Sequence, residues 1–213
     1  MPYFLTLLSG LSLGDWLGLV GVGVGIVGFI YAIRTNNLND ELQRQLKTVT
    51  MNDIQNFAED IVDRLGRWRP DVIYCPDLRA GFVGYFVTEE MGLNIPILTG
   101  YVFSKKKPIP NCNIDQNYEE QETPGYWVLI EKYVYKFQGK KVLIIDEIAV
   151  SGEAIFFIKK NLIEKNFSPG NIKSAVIVAS VVVDRDHPRR PDYCWRIVEH
   201  DPHDISFPWG RWK

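Results

Sequence analysis

Cysteine is scarce here: Cys75, Cys112 and Cys194 in 213 residues, an odd number with no C-x-x-C spacing. That argues against a disulfide framework and a cysteine-built zinc site, and it fits a reducing compartment. An excess of one charge is lacking too. Lys and Arg number 24 against 26 Asp and Glu, a net charge of -2, so the basic surface of a general nucleic-acid binder is missing and no nucleic-acid partner is expected. Histidines number three, and no Ser-His-Asp or Cys-His constellation stands out. His200, His203 and Asp204 read as surface residues of a loop rather than as metal ligands. What remains is ordinary for a folded chain: 46% hydrophobic and 23% charged residues. The length suits one α/β domain with an appendage.

Charge is also missing from one long local run. Residues 16–33 read WLGLVGVGVGIVGFIYAI, with Asp15 just before and Arg34 just after. As a helix this run would span ~27 Å, close to the ~30 Å hydrocarbon core of a bilayer. Trp16 and Tyr31 lie near its ends, where amphipathic rings favour the membrane interface. Gly14, Gly18, Gly21, Gly25 and Gly28 recur at three- and four-residue steps, which lets a second helix approach closely. A homo-oligomer is therefore expected. Gly23, Gly25 and Gly28 also spell G-x-G-x-x-G, but that fingerprint needs a strand before it and a helix after it. A signal peptide would want a basic start and a small-residue cleavage site, and neither is evident. A buried or oligomerising helix in a soluble assembly is the other reading. Arg34, Arg44 and Lys47 follow the run and no basic residue precedes it. The positive-inside rule then predicts a single-pass membrane protein with its C-terminal domain in the cytoplasm.

The expected organisation has three parts. Residues 1–35 form a hydrophobic N-terminus with a transmembrane helix at about 16–33, residues 36–68 form a helical stalk, and residues 69–213 form an α/β domain. In the stalk, Leu38, Leu42, Leu46 and Val49 make one apolar stripe. Thr50 and Asp53 give a capping signal for a second helix carrying Ile54, Phe57, Ala58, Ile61, Val62 and Leu65, and this second half of the stalk is expected to pack on the α/β domain. Beyond it, strands are predicted at 71–75, 95–102, 126–129, 142–145 and 174–183, with helices at 82–91 and 153–166. Residues 104–124 are polar and read as a long loop, and long loops inside compact domains are often functional. Alternating strands and helices imply a central parallel sheet, whose ligands bind at the carboxyl ends of the strands.

The segment 142–154 reads VLIIDEIAVSGEA. A buried strand ends in two adjacent carboxylates, Asp146 and Glu147; a tight loop follows, and then a helix. Backbone N–H groups of such a loop, with the helix N-terminus, suit a phosphate. Ser151 adds a hydroxyl, and Gly152 lets the backbone approach. The carboxylates could accept from ribose hydroxyls or hold a hydrated Mg²⁺. A plain helix cap is the competing reading.

This segment resembles the phosphoribosyl-pyrophosphate (PRPP) signature of type I phosphoribosyltransferases. The resemblance covers roughly residues 69–212. It implies a central parallel sheet flanked by helices with a small C-terminal hood, and transfer of ribose-5-phosphate from PRPP to a purine-like base with release of pyrophosphate. By resemblance, Asp146 and Glu147 would meet the ribose hydroxyls and Mg²⁺ through water. The loop Ala149, Val150, Ser151, Gly152, Glu153 and Ala154 would hold the 5-phosphate. Residues 74–81 look like the pyrophosphate loop, with Arg79, Ala80 and Gly81 as its binding residues. Lys106, beside Lys105 and Lys107, falls where the family has its catalytic lid; a solvated basic turn is the alternative. The C-terminal part resembles the hood of xanthine-guanine enzymes, and Tyr193, Trp195 and Ile205 are the candidates to meet the base. Val150 and Ala154 lack the hydroxyls the family usually has there, and Glu153 puts a negative charge in the phosphate loop. A nucleotide- or PRPP-binding sensor or effector at the membrane, in a role such as bacterial defence, is therefore the alternative to an enzyme. A structural oligomer built by the glycine-rich helix is a third reading.

Overall fold

The structure, a computed structural model, describes residues 47–105, 117–181, 183, 188–199 and 204–211. The expected membrane span at 16–33, the first part of the expected stalk, and Lys106 and Lys107 lie outside the described residues. Among the described residues no helix is long and apolar enough to cross a membrane.

A compact unit spans Val49–Lys213. It therefore takes in the second half of the segment expected as stalk. The reason is the first helix, α1 (Met51–Leu65). Thr50 and Asp53 cap it reciprocally: the Asp53 N–H donates to Thr50 Oγ1 at 3.1 Å, and the Thr50 N–H donates to Asp53 Oδ2 at 2.8 Å. Ile54, Phe57, Ala58, Ile61 and Leu65 are buried at helical spacing and join the main core. Burying such side chains contributes roughly 1.5–3 kcal/mol each. A free stalk would leave them in water.

Among the described residues, two more α-helices and ten strands follow. First come β1 (Val72–Cys75), α2 (Leu78–Met91), β2 (Ile97–Thr99), β3 (Tyr101–Ser104), β4 (Tyr118–Glu122), β5 (Tyr126–Glu131), β6 (Val142–Ala149) and α3 (Glu153–Glu164). β7 (Ile172–Ser180), β8 (Tyr193–Val198), β9 (Ser206–Phe207) and β10 (Gly210–Arg211) follow. The central sheet is parallel throughout, in the order β2-β1-β6-β7-β8. β1 is fully buried, as expected for a parallel strand covered on both faces. One face of the sheet packs with α1 and α2 around Phe57, Ile61, Ile73, Val83, Leu143 and Ile177. The other packs with α3 and β5 around Tyr74, Val128, Ile144, Ile155, Ile158 and Val176.

Three elements differ from the sequence reading. The strand expected at 95–102 splits at Gly100. There the chain leaves the large sheet for a small antiparallel one of order β3-β5-β4. A Cβ at Gly100 would overlap Tyr74 Oη and the Leu129 carbonyl, so only glycine fits this crossing. Part of the polar segment 104–124 is not loop but strand β4, paired with β5 from Tyr118–Glu131 to Glu122–Trp127. Its Glu119 is fixed by Lys165 Nζ at 2.8 Å, Asn161 Nδ2 at 3.1 Å and Tyr135 Oη at 3.2 Å. In the segment expected as a hood, residues 193–198 form β8, the parallel edge strand of the central sheet.

Candidate functional site

The carboxyl ends of β1 and β6 each lead into a helix, and the two helices begin differently. After β1, Asp77 caps α2: its Oδ1 accepts from the Arg79 N–H at 2.8 Å and the Ala80 N–H at 2.9 Å. The Gly81 N–H donates to the Asp77 carbonyl at 3.0 Å. Ala80 and Gly81, expected to meet a phosphate through their backbone, thus have their N–H groups engaged by Asp77. The guanidinium of Arg79 is held by the same carboxylate, with Nε at 3.1 Å and Nη2 at 2.9 Å from Asp77 Oδ2. Its Nε also stands 3.4 Å from Glu147 Oε1.

After β6 the chain turns through Val150 and Ser151 into Gly152, the left-handed N-cap of α3 at φ +66°. No side-chain cap bonds this helix end. The weak contact present is the Glu153 N–H to Ser151 Oγ at 3.4 Å. Gly152 is required twice over. Its backbone favours glycine, and a Cβ would overlap the backbone carbonyl of Arg189. A cavity opens in front of this turn. Asp77, Val102, Tyr126, Asp146 and the whole loop from Ala149 to Ala154 line it. A helix N-terminus without a side-chain cap, facing a cavity, suits an anion, because the first N–H groups of a helix have no intrahelical acceptor and the helix dipole adds positive potential.

The two acids of β6 part company. Asp146 faces the cavity, and its Oδ1 accepts from the Glu147 N–H at 2.8 Å. Glu147 is fully buried, turned towards Arg79, and neither carboxylate oxygen has a hydrogen-bond partner. The alternation along the strand slips at this pair. Leu143 and Ile145 join the α1–α2 side, yet so does Ile148, while Ala149 joins the α3 side. Burial pushes the Asp146 carboxyl well above the usual carboxylate range, with the Glu147 charge adding to it. Burial, and then the Asp77 charge, push Glu147 up to about 7. Of the two, Asp146 faces the cavity, where a carboxyl that resists ionisation suits a donor arriving with a ligand, either a hydroxyl or a cation. For Mg²⁺, the fit is confined to Asp146 through water. Glu147 is out of the cavity, and among the described residues no group of three or more His, Cys, Asp or Glu could hold a metal.

Glu153, the charge that looked misplaced in a phosphate loop, has a partner. It is 7% exposed, and its Oε1 accepts from the Gly125 N–H, in the turn between β4 and β5, at 3.0 Å.

The three residues expected to meet a base line neither this cavity nor the hollow beside it. Ile205 is fully buried in the core. Tyr193 stands at the start of β8, where its hydroxyl accepts from Lys173 Nζ at 3.1 Å. Trp195 packs against the core on the α1–α2 side, under the Arg196 guanidinium 5.0 Å from its ring. On the far side of Arg79 there is instead an apolar hollow formed by Met51, Leu78, Phe82, Pro208 and Trp209. Trp209 stacks on Phe207 at 5.4 Å and meets Phe82 edge-on at 5.6 Å. The sequence signal for it existed, in the Pro208–Trp209 pair and the apolar residues of α2, but Leu78 read as loop.

Neither a protein-family model nor a curated protein matches the sequence. Solved structures do. A purine phosphoribosyltransferase from Pyrococcus horikoshii superposes with TM-score 0.53 at 18% identity, covering 78% of this chain and 97% of that one. An APRTase from Giardia lamblia, complexed with 9-deazaadenine, gives 0.50 at 12% identity over 69% of this chain and 80% of its own. A hypothetical protein from Neisseria gonorrhoeae with bound ppGpp gives 0.50 at 15% identity over 76% and 89%. At these identities the likeness establishes the fold, and that fold is the one of the type I phosphoribosyltransferases.

Proposed function

We propose that this chain transfers ribose-5-phosphate from PRPP to a nitrogenous ring and releases pyrophosphate. The observation that carries the reading is the open N-terminus of α3, placed beside Asp146 at the end of a buried strand. The 5-phosphate would lie against the N–H groups of the Ala149–Ala154 loop and the Ser151 hydroxyl. Asp146, which lines the cavity, would accept from a ribose hydroxyl through its carboxyl oxygens. Arg79, pre-oriented by Asp77 and Glu147, would take pyrophosphate oxygens as a fork. The acceptor ring would enter the aromatic hollow next to Arg79.

In this reaction the C1–oxygen bond to pyrophosphate breaks and a C1–nitrogen bond to the acceptor forms. The acceptor's N–H proton leaves to solvent. The sugar passes through an oxocarbenium-like state, so catalysis rests on alignment and on neutralising the departing charge. Mg²⁺ bound to the pyrophosphate would supply part of that neutralisation, with Asp146 holding it through water. We assign the run at 16–33 the role of membrane anchor, with the compact unit on the cytoplasmic side and copies joined through its regularly spaced glycines.

The test is calorimetry of the full-length chain with PRPP and Mg²⁺, followed by a pyrophosphate-release assay across purines. Saturable binding, lost in Asp146→Asn, together with pyrophosphate release for at least one base, is the expected result. The absence of binding by a folded chain would end the reading. A second reading has its own observation in Glu153, a carboxylate in the phosphate loop. On that reading the site binds a phosphorylated nucleotide without turnover. A fold neighbour that holds ppGpp makes such a ligand a fitting first probe. Binding with no pyrophosphate release from any base would select it.

A further inference from the structure

The cavity wall that would receive a phosphate already carries an anion. Glu153 is the first residue of α3, next to Gly152, and lines the cavity together with Ser151 and Ala154. The residue is 7% exposed, and its carboxylate accepts the Gly125 N–H at 3.0 Å. It has not drifted into solvent, as an unwelcome surface charge would.

The turn it holds is tightly built. The Thr123 hydroxyl accepts from the Tyr126 N–H at 2.9 Å and lies 2.9 Å from the Tyr126 carbonyl, to which it donates. The Thr123 N–H donates to that carbonyl at 3.0 Å. The Gly125 carbonyl in turn accepts from the Lys105 N–H at 3.1 Å, at the end of β3. Tyr126 lines the same cavity, and burial, with the Glu153 charge adding to it, raises its phenol. One carboxylate therefore joins the first turn of α3 to the β4–β5 turn and, through Gly125, to the end of β3.

We propose that Glu153 makes phosphate binding and docking of the β4–β5 turn compete, so that it sets the phosphate affinity of the site. This rests on reading the cavity as a phosphate site. A dianion seated on the α3 N-terminus would lie within a few ångströms of the carboxylate, in a half-buried setting where like charges repel strongly. The carboxylate swings away, the Gly125 N–H loses its acceptor, and the turn is released. Ligands that reach the ribose position without a phosphate feel none of this.

Two variants of the full-length chain separate charge from latch. E153Q keeps a side-chain oxygen to accept the Gly125 N–H and removes only the charge. E153T removes both, its side chain being too short to reach the Gly125 N–H. Calorimetry with ribose 5-phosphate, and with ribose as the phosphate-free control, gives affinities. Hydrogen exchange at the Gly125 amide reports the latch. Both variants are expected to bind ribose 5-phosphate at least tenfold more tightly than the parent chain, with ribose unchanged. The Gly125 amide should exchange faster in E153T but not in E153Q, and faster in the parent chain once ribose 5-phosphate saturates it. Equal or weaker ribose 5-phosphate binding in both variants, with unchanged circular dichroism, overturns the proposal and leaves the phosphate site standing. No ribose 5-phosphate binding by the parent chain or either variant overturns the phosphate reading together with the proposal.

Discussion

Two helices in this fold start at the same level, each following a buried parallel strand, and they treat their first N–H groups in opposite ways. α2 is capped from within by Asp77, which satisfies two backbone donors and also grips Arg79. α3 begins at a left-handed glycine with no side-chain cap, in front of a cavity. The lesson is that a strand–loop–helix motif is not by itself an anion site. What decides is whether the chain has already supplied the anion. The α2 end has its carboxylate, so its contribution to a ligand is the Arg79 side chain. The α3 end has no side-chain cap, and the carboxylate of its own first residue, Glu153, is turned to Gly125.

The contrast is broken most severely at Gly152. Gly152→Ala would need a left-handed alanine and would drive a methyl into the Arg189 carbonyl. The expected loss is about 3 kcal/mol of stability, read by urea denaturation, with ribose 5-phosphate binding abolished. Next in size is Glu147 on the α2 side. Its proton is held to about 7 when folded, against 4.5 for an ordinary glutamate. Between those values the folded chain holds more protons than the unfolded one, so stability falls as pH rises from 5 to 8. The gap corresponds to on the order of 3 kcal/mol. Glu147→Gln should therefore raise stability at pH 8 by about 2 kcal/mol and change it little at pH 5. A gain at pH 5 as large as that at pH 8 would show that ionisation is not the cause.

Asp77→Ala removes the α2 cap and one of the carboxylates that hold Arg79, with an expected cost of about 1–2 kcal/mol at pH 7. Ser151→Ala on the other helix should cost under about 0.5 kcal/mol, because its hydroxyl makes a 3.4 Å contact and no cap. It should still lower ribose 5-phosphate affinity several-fold. Equal stability losses for Asp77→Ala and Ser151→Ala in parallel melts would erase the distinction between the two helix starts.

The α3 side was legible in the sequence because its signals are contiguous. An apolar run, two acids, a small-residue turn and an amphipathic helix all fall within residues 142–164. The α2 side was read less well for a local reason. Residues 76–81 looked like loop, so Asp77 was not seen as the cap of a helix beginning at Leu78. Other misses are non-local. The polar β4 is a strand because β5 pairs with it and because Lys165, Asn161 and Tyr135 fix Glu119. Nothing in the spacing of residues 118–122 announces those partners. The edge strand β8 likewise depends on β7 for its existence. The Glu153–Gly125 bond joins residues 28 apart in the chain, so the sequence offered the odd glutamate without its reason.

The N–H of Val49 donates to the carbonyl of Ser206 at 2.8 Å, so the first residue of the compact unit is stitched to one of its last elements. Topologically the unit is a nearly closed ring, and where such a ring is opened is a matter of history more than of necessity. A permuted chain could join residue 211 to residue 49 by a short linker and begin instead at the exposed Gly139–Lys140 turn. It would carry the same sheet order and the same open helix start. It would also present its new ends at a different point on the surface, which separates what the unit does from where the chain enters it.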